Sequence, residues 1–156
     1  MYKKIMVPLD GSPMAECVLP HVERIGKGCG AEKVVLIRVE EPMAVPPSAK
    51  IRFTEKDIEQ FEADKVAIAR DYLDQLAEKL GYDWAQVEKV VLTGSVSSQL
   101  VDYAKKNASD LIVIATHGRS GISRWVWGST ADRLLRSACT PIFMVRAPGC
   151  IPGMED

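Results

Sequence analysis

The sequence predicts an α/β fold in which helices cover both faces of a parallel sheet, and three observations carry that expectation. Short apolar runs alternate strictly with stretches of helical period, five strands against four helices. The run Val34 to Val39 is nearly continuous rather than alternating, as a strand covered on both faces requires. Turn formers cluster after the first and fourth runs, at the strand ends where open sheets of this kind hold ligands.

The first strand spans Lys3 to Leu9 around Ile5, Met6 and Val7, and stops at Pro8 to Pro13. Ser12 can cap the first helix with Pro13 at its opening position. Met14, Val18, Val22 and Ile25 then recur at helical spacing until Gly26, Gly28 and Gly30 end it. Val34 to Val39 is the second strand, with Arg38 as its one charge. Pro42, Pro46 and Pro47 make Glu40 to Ile51 a loop, long for a small domain, and either a lid or a disordered excursion fits it. Thr54 with Asp57 resembles a capping box. It opens a long helix whose apolar face, Ile58, Phe61, Ala69, Leu73, Leu76 and Leu80, ends at Gly81. Val87 to Thr93 is the third strand, and Leu100, Val101 and Ala104 mark a short helix after it. Asp110 to Ala115 is the fourth strand, followed by a loop from Thr116 to Trp127, a helix from Ser129 to Ala138 and a last strand from Pro141 to Val145.

The chain has 156 residues, 47% apolar and 26% charged, which fits one ordinary domain over residues 1–147 with a short tail, 148–156. Twenty basic residues against twenty-one acidic leave a net charge of −1, so no global field favours nucleic acid or an anionic membrane. The apolar stretch before Asp10 is far too short for a signal peptide or a membrane span, which points to a cytoplasmic protein. Cys17, Cys29, Cys139 and Cys150 form no C-x-x-C pair, and His21 and His117 are too few to build a zinc site with them. Reduced structural thiols are the expectation.

Two loops carry the candidate chemistry, Val7 to Ser12 after the first strand and Ala115 to Thr130 after the fourth. If those strands are neighbours, both loops rim one crevice. Gly118, Gly121 and Gly128 leave room for a ligand to approach backbone N–H groups, and Gly128, Ser129 and Thr130 open a helix whose positive end suits an anion. Phosphate is the natural guest, with Arg119 and Arg124 to neutralise it. Asp10, opposite, can accept from ribose hydroxyls or hold a magnesium ion. Equally, glycines after a strand can serve the turn alone, and Asp10 can simply cap the first helix or its turn.

The segments Ile5 to Ser12 (IMVPLDGS), Gly118 to Gly121 (GRSG), Gly128 to Thr130 (GST) and Pro141 to Val145 (PIFMV) together resemble the universal stress protein family. The resemblance covers essentially the whole domain. It implies a Rossmann-like, three-layer fold with a five-stranded parallel sheet of order 3-2-1-4-5. The ATP-binding branch of that family carries G-x2-G-x9-G-[ST]. Gly118 and Gly128 match its second and third glycines and Ser129 its hydroxyl, while Ala115 stands where the first glycine would be. The resemblance further implies that Pro8 and Asp10 line an adenosine, that Val39 offers backbone groups to adenine, and that Ser129 and Thr130 contact phosphates, with Thr93 and Gly94 as weaker candidates. ATP, ADP or AMP with magnesium is the implied ligand, and the last strand, Pro141 to Val145, the implied homodimer edge.

The function expected is a nucleotide-dependent stress or energy signalling module whose partner is not legible. No G-x-x-x-x-G-K-[ST] P-loop and no G-x-S-x-G elbow is present, so no metabolic enzyme is expected, at most slow ATP hydrolysis or autophosphorylation on Ser129 or Thr130. The competing reading is an interaction module whose crevice is narrowed by Ala115, Trp125 and Trp127. His117 is expected to hold its loop rather than act as a base.

Overall fold

A computed structural model describes residues 1–43, 54–116 and 129–146. Its strands β1 (Lys4–Pro8), β2 (Lys33–Glu40), β3 (Gln86–Thr93), β4 (Leu111–Ala115) and β5 (Ile142–Val145) form one sheet in the order β3-β2-β1-β4-β5. Every pairing is parallel, and β1 lies between β2 and β4. The strand expectations therefore hold in number, order and direction.

Five helices are described rather than four: α1 (Pro13–Glu16), α2 (Leu19–Cys29), α3 (Glu55–Leu80), α4 (Val96–Lys106) and α5 (Ser129–Ser137). The expected first helix is broken because Pro20 has no N–H to donate to the Glu16 carbonyl, so a new helix starts around it. The expectation that Gly26 and Gly28 terminate this helix is also corrected. Both lie inside α2, and Gly30 is the cap. Gly26 is there for packing, since a Cβ on it would sit 2.2 Å from Trp84 Cη2.

Alternate strand residues feed two cores, one on each face of the sheet. On one face Ile5, Val7, Val34 and Leu36 meet Val18, Val22 and Leu73 from α2, its preceding turn and α3. On the other, Met6, Val35, Ile37 and Ile112 meet Leu100 and Ala104 of α4 and Leu134 of α5. Each fully buried side chain of this size stabilises the fold by roughly 1.5–3 kcal/mol. The capping box of Thr54 and Asp57 is formed, and it holds the Asp57 carboxyl below its usual range through the Thr54 hydrogen bonds. Phe61, expected on the buried face, is exposed, and burial in α3 begins only at Ala69. A helix of 26 residues is about 39 Å long, against about 26 Å for an eight-residue strand, so its first turns overrun the sheet.

The winding direction reverses between β1 and β4. Asp110 fixes this junction: its carboxylate accepts from the backbone N–H groups of Lys3 at 2.8 Å and Lys4 at 3.2 Å, while its own N–H donates to the Lys4 carbonyl at 3.0 Å. The crevice beyond the strand ends at such a reversal is where this architecture places ligands.

Candidate functional site

The strand ends differ in length, and that difference leaves a gap at the carboxyl edge of the sheet. Pro8, the last residue of β1, lies opposite Ile37, so Arg38, Val39 and Glu40 run past the end of β1. The Leu9 N–H donates to the Ile37 carbonyl at 2.9 Å on the β1 side, and the Gly94 N–H donates to the Glu40 carbonyl at 3.0 Å on the β3 side. Successive residues of a strand between two parallel neighbours turn their N–H and C=O groups alternately to one side and the other. Val39 therefore shares the orientation of Ile37 and presents a donor and an acceptor side by side, over the gap where β1 has stopped.

The turn after β1 closes the near side of that gap. Gly11 takes φ of 85°, a conformation that favours glycine. Asp10 Oδ1 accepts from the Ser12 N–H at 2.9 Å and the Ser12 hydroxyl at 2.7 Å, and Ser12 Oγ accepts from the Ala15 N–H at 3.2 Å. Asp10 thus builds the turn and orients the cap of α1. Pro8 is buried beneath it.

Ala115, at the end of β4, is 6% exposed and packs among the core residues of the α1 and α2 face. Its methyl group is spent in the core. Thr130, in the first turn of α5, lines a polar pocket of about 110 Å³ with Glu41, Ser95, Val96, Ser97 and Arg133. Gly94, before this pocket, has φ of 138°. Pro8, Asp10, Val39, Ala115 and Thr130 thus all stand at the carboxyl edge of the sheet. Ser129 opens α5. Gly118, Arg119, Gly121, Arg124 and Gly128, with His117, Trp125 and Trp127, lie outside the described residues.

Sequence reasoning missed a charged cluster under the β2 extension. Arg38 is 7% exposed, its Nε donates to Glu40 Oε1 at 2.6 Å, and its guanidinium lies 5.4 Å from the centre of the Tyr72 ring. The Tyr72 hydroxyl donates to Glu16 Oε1 at 3.0 Å. Burial, then the hydrogen bond and charge of Glu16 and the charge of Asp10, push that hydroxyl far above its ordinary range. The one signal was a charge inside an apolar strand. Ser95, Ser97 and Arg133 were missed as well, since their meeting depends on the packing of α4 against α5.

Among the described residues no group of three or more His, Cys, Asp or Glu side chains could hold a metal ion. No helix among them is long and apolar enough to cross a membrane.

A doubly wound parallel sheet whose strand order reverses between β1 and β4 places the chain in the Rossmann-like class of open α/β folds. The family model of the universal stress proteins matches residues 1–146, and the chain belongs to the universal stress protein family. It is 27% identical over 150 residues to universal stress protein MJ0531 of Methanocaldococcus jannaschii, covering 95% of this chain and 84% of that one. The structure of MJ0577, also from Methanocaldococcus jannaschii, superposes with a TM-score of 0.79 at 24% identity, covering 96% of this chain and 99% of the other. An Arabidopsis thaliana family member with AMP bound superposes with a TM-score of 0.59 at 15% identity, over 94% of this chain and 93% of that one. A universal stress protein in complex with cAMP gives 0.60 at 22% identity, over 92% and 96%.

Proposed function

We propose that this protein binds ATP or a related adenine nucleotide at the carboxyl edge of the sheet and uses occupancy to signal energy or stress state. The observation that carries the reading is the paired donor and acceptor of Val39 past the end of β1. An adenine edge offers a ring-nitrogen acceptor beside an amino donor, the complement of a backbone N–H beside a C=O. The AMP and cAMP carried by two relatives have this base in common.

In this reading the adenosine lies over Pro8 and Asp10, and the phosphates reach toward the start of α5. Gly118, Gly128, Ser129 and Thr130 hold them there, with Arg119 and Arg124 to balance charge. Ala115 does not obstruct the crevice because its methyl packs in the core. A magnesium ion would arrive on the phosphates, which supply most of its oxygen ligands, and Asp10 is the protein carboxylate placed to add one. Asp10 otherwise acts through the turn it builds.

Phosphate binding changes the surface offered to a partner, so the mechanism is a population shift rather than turnover. The apolar edge strand β5, with Phe143 exposed, supports a homodimer through Ile142–Val145. The free thiols of Cys17, Cys29 and Cys139 suit a reducing, cytoplasmic setting. The test is equilibrium binding of ATP and GTP to nucleotide-stripped protein. Saturable binding that prefers ATP supports the proposal, and binding of neither favours an interaction module with a vestigial site.

A further inference from the structure

The charged cluster beneath β2 has no place in the proposed function, yet it flanks the residue that carries it. Arg38 and Glu40 stand on either side of Val39 and share one face of the strand, while Val39 packs into the core on the other. Their 2.6 Å contact therefore bridges the backbone of Val39 from below. Both side chains are close to buried, at 9% and 12% exposed. A buried ion pair is a poor source of stability, since well-packed apolar residues of similar volume commonly do as well or better. Its presence at this point calls for a different explanation.

The position supplies one. β1 ends opposite Ile37, so beyond that residue β2 keeps its bonds to β3 but has none to β1 on the other side, among the described residues. A strand end held along one side twists and frays readily. The bridge stiffens this stretch, and its anchorage extends outward: the guanidinium rests on the Tyr72 ring of α3, and the Tyr72 hydroxyl ties to Glu16 of α1, the helix that follows the Asp10 turn. The two walls of the gap are thereby linked.

We infer that the Arg38–Glu40 bridge is a positioning device that holds the N–H and C=O of Val39 in register for an adenine edge, and so sets the base selectivity of the site. This rests on the adenine-binding reading of the site. Neither side chain touches the base; both act through the backbone of Val39. The consequence is specific to the edge that Val39 reads. Inosine triphosphate has the same sugar and phosphates but reverses both groups, with a ring N–H for the acceptor and an oxo group for the amino donor. Loosening Val39 weakens ATP binding and leaves ITP binding unchanged.

The experiment makes Arg38→Met and Glu40→Gln together, so that no buried charge is stranded, and measures ATP and ITP affinities beside the melting temperature. The double variant is expected to melt near the wild type while the ATP-to-ITP affinity ratio falls about tenfold. Glu40→Gln alone keeps the shape and a neutral acceptor, and is expected to lower the ratio by about threefold, which decides the matter if the double variant does not fold. Amide exchange at residues 38–40 of the ligand-free protein is expected to speed up in both. A folded variant that retains the wild-type ratio overturns the inference. A wild-type protein that binds no adenine nucleotide refutes the proposed function instead.

Discussion

Replacing Val39 by proline tests the proposed adenine contact by putting a ring methylene where a backbone hydrogen stands. The change removes one backbone N–H and leaves the carbonyl in place. If that N–H faces the gap past β1, no ladder hydrogen bond is lost, because Leu9 to Ile37 and Gly94 to Glu40 are the bonds on either side of it. Arg38 is already extended, as a residue before proline prefers, and an unpaired N–H in a strand is where proline is tolerated. The half-buried valine loses about one methylene of packing, roughly 1 kcal/mol, which lowers the melting temperature by about 2–4 °C in a chain of this size. The donor itself contributes about 0.5–1.5 kcal/mol to a bound adenine and the ring Cδ takes up its space, so ATP affinity falls by about tenfold or more. Circular dichroism melting and ATP titration on the same preparation read both quantities. Cooperative unfolding lost altogether would show that the N–H belongs to the sheet. A folded variant with undiminished ATP affinity would show that the N–H does not meet the base.

Gly26→Ala places a methyl against the Trp84 ring and is expected to cost roughly 1–3 kcal/mol, read as a lower denaturant midpoint, with partial rescue by Trp84→Leu; an unchanged midpoint would contradict that packing. Phe143→Asp puts a charge on the exposed β5 edge and is expected to convert a dimer to a monomer in light scattering, whereas a wild-type monomer removes the proposed interface. Burial pushes the hydroxyls of Tyr82 and Tyr103 up to about 12, helped by the charge of Glu23 and by the Glu88 hydrogen bond respectively. Their folded pKa values lie above the unfolded value near ~10, so the stability they carry is intact below that pH and lost as pH rises toward the folded values. Chemical denaturation midpoints should therefore fall across that alkaline window and fall less in Tyr82→Phe and Tyr103→Phe. A flat midpoint would show the hydroxyls to be solvated.

The sheet was legible because its inner strands β1, β2 and β4 are short apolar runs buried on both faces, a pattern that needs no knowledge of partners. The Asp10, Gly11 and Ser12 turn was legible for the same reason, since its bonds span two or three residues. Long-range packing was not. Gly26 reads as a helix end until Trp84, far along the chain, is seen lying against it. Pro20 splits the first helix although the apolar spacing runs straight through it. Arg38 stood out as a charge in an apolar strand, but its meaning depends on Tyr72 and Glu16 arriving from two other helices. Thr130 was expected from the family motif, whereas the serines and arginine around it come together only where α4 meets α5.

The proposed function places an adenine nucleotide at the carboxyl edge of this sheet with its phosphates at the start of α5. Titration calorimetry with ATP and magnesium, on wild-type protein stripped of nucleotide and on Gly128→Glu, tests it most directly. Saturable binding in the micromolar range is expected for the wild type and none for the variant, where a carboxylate repels the phosphates from the helix start. An absence of heat from the wild type up to millimolar ATP, or equal binding by both proteins, would contradict it.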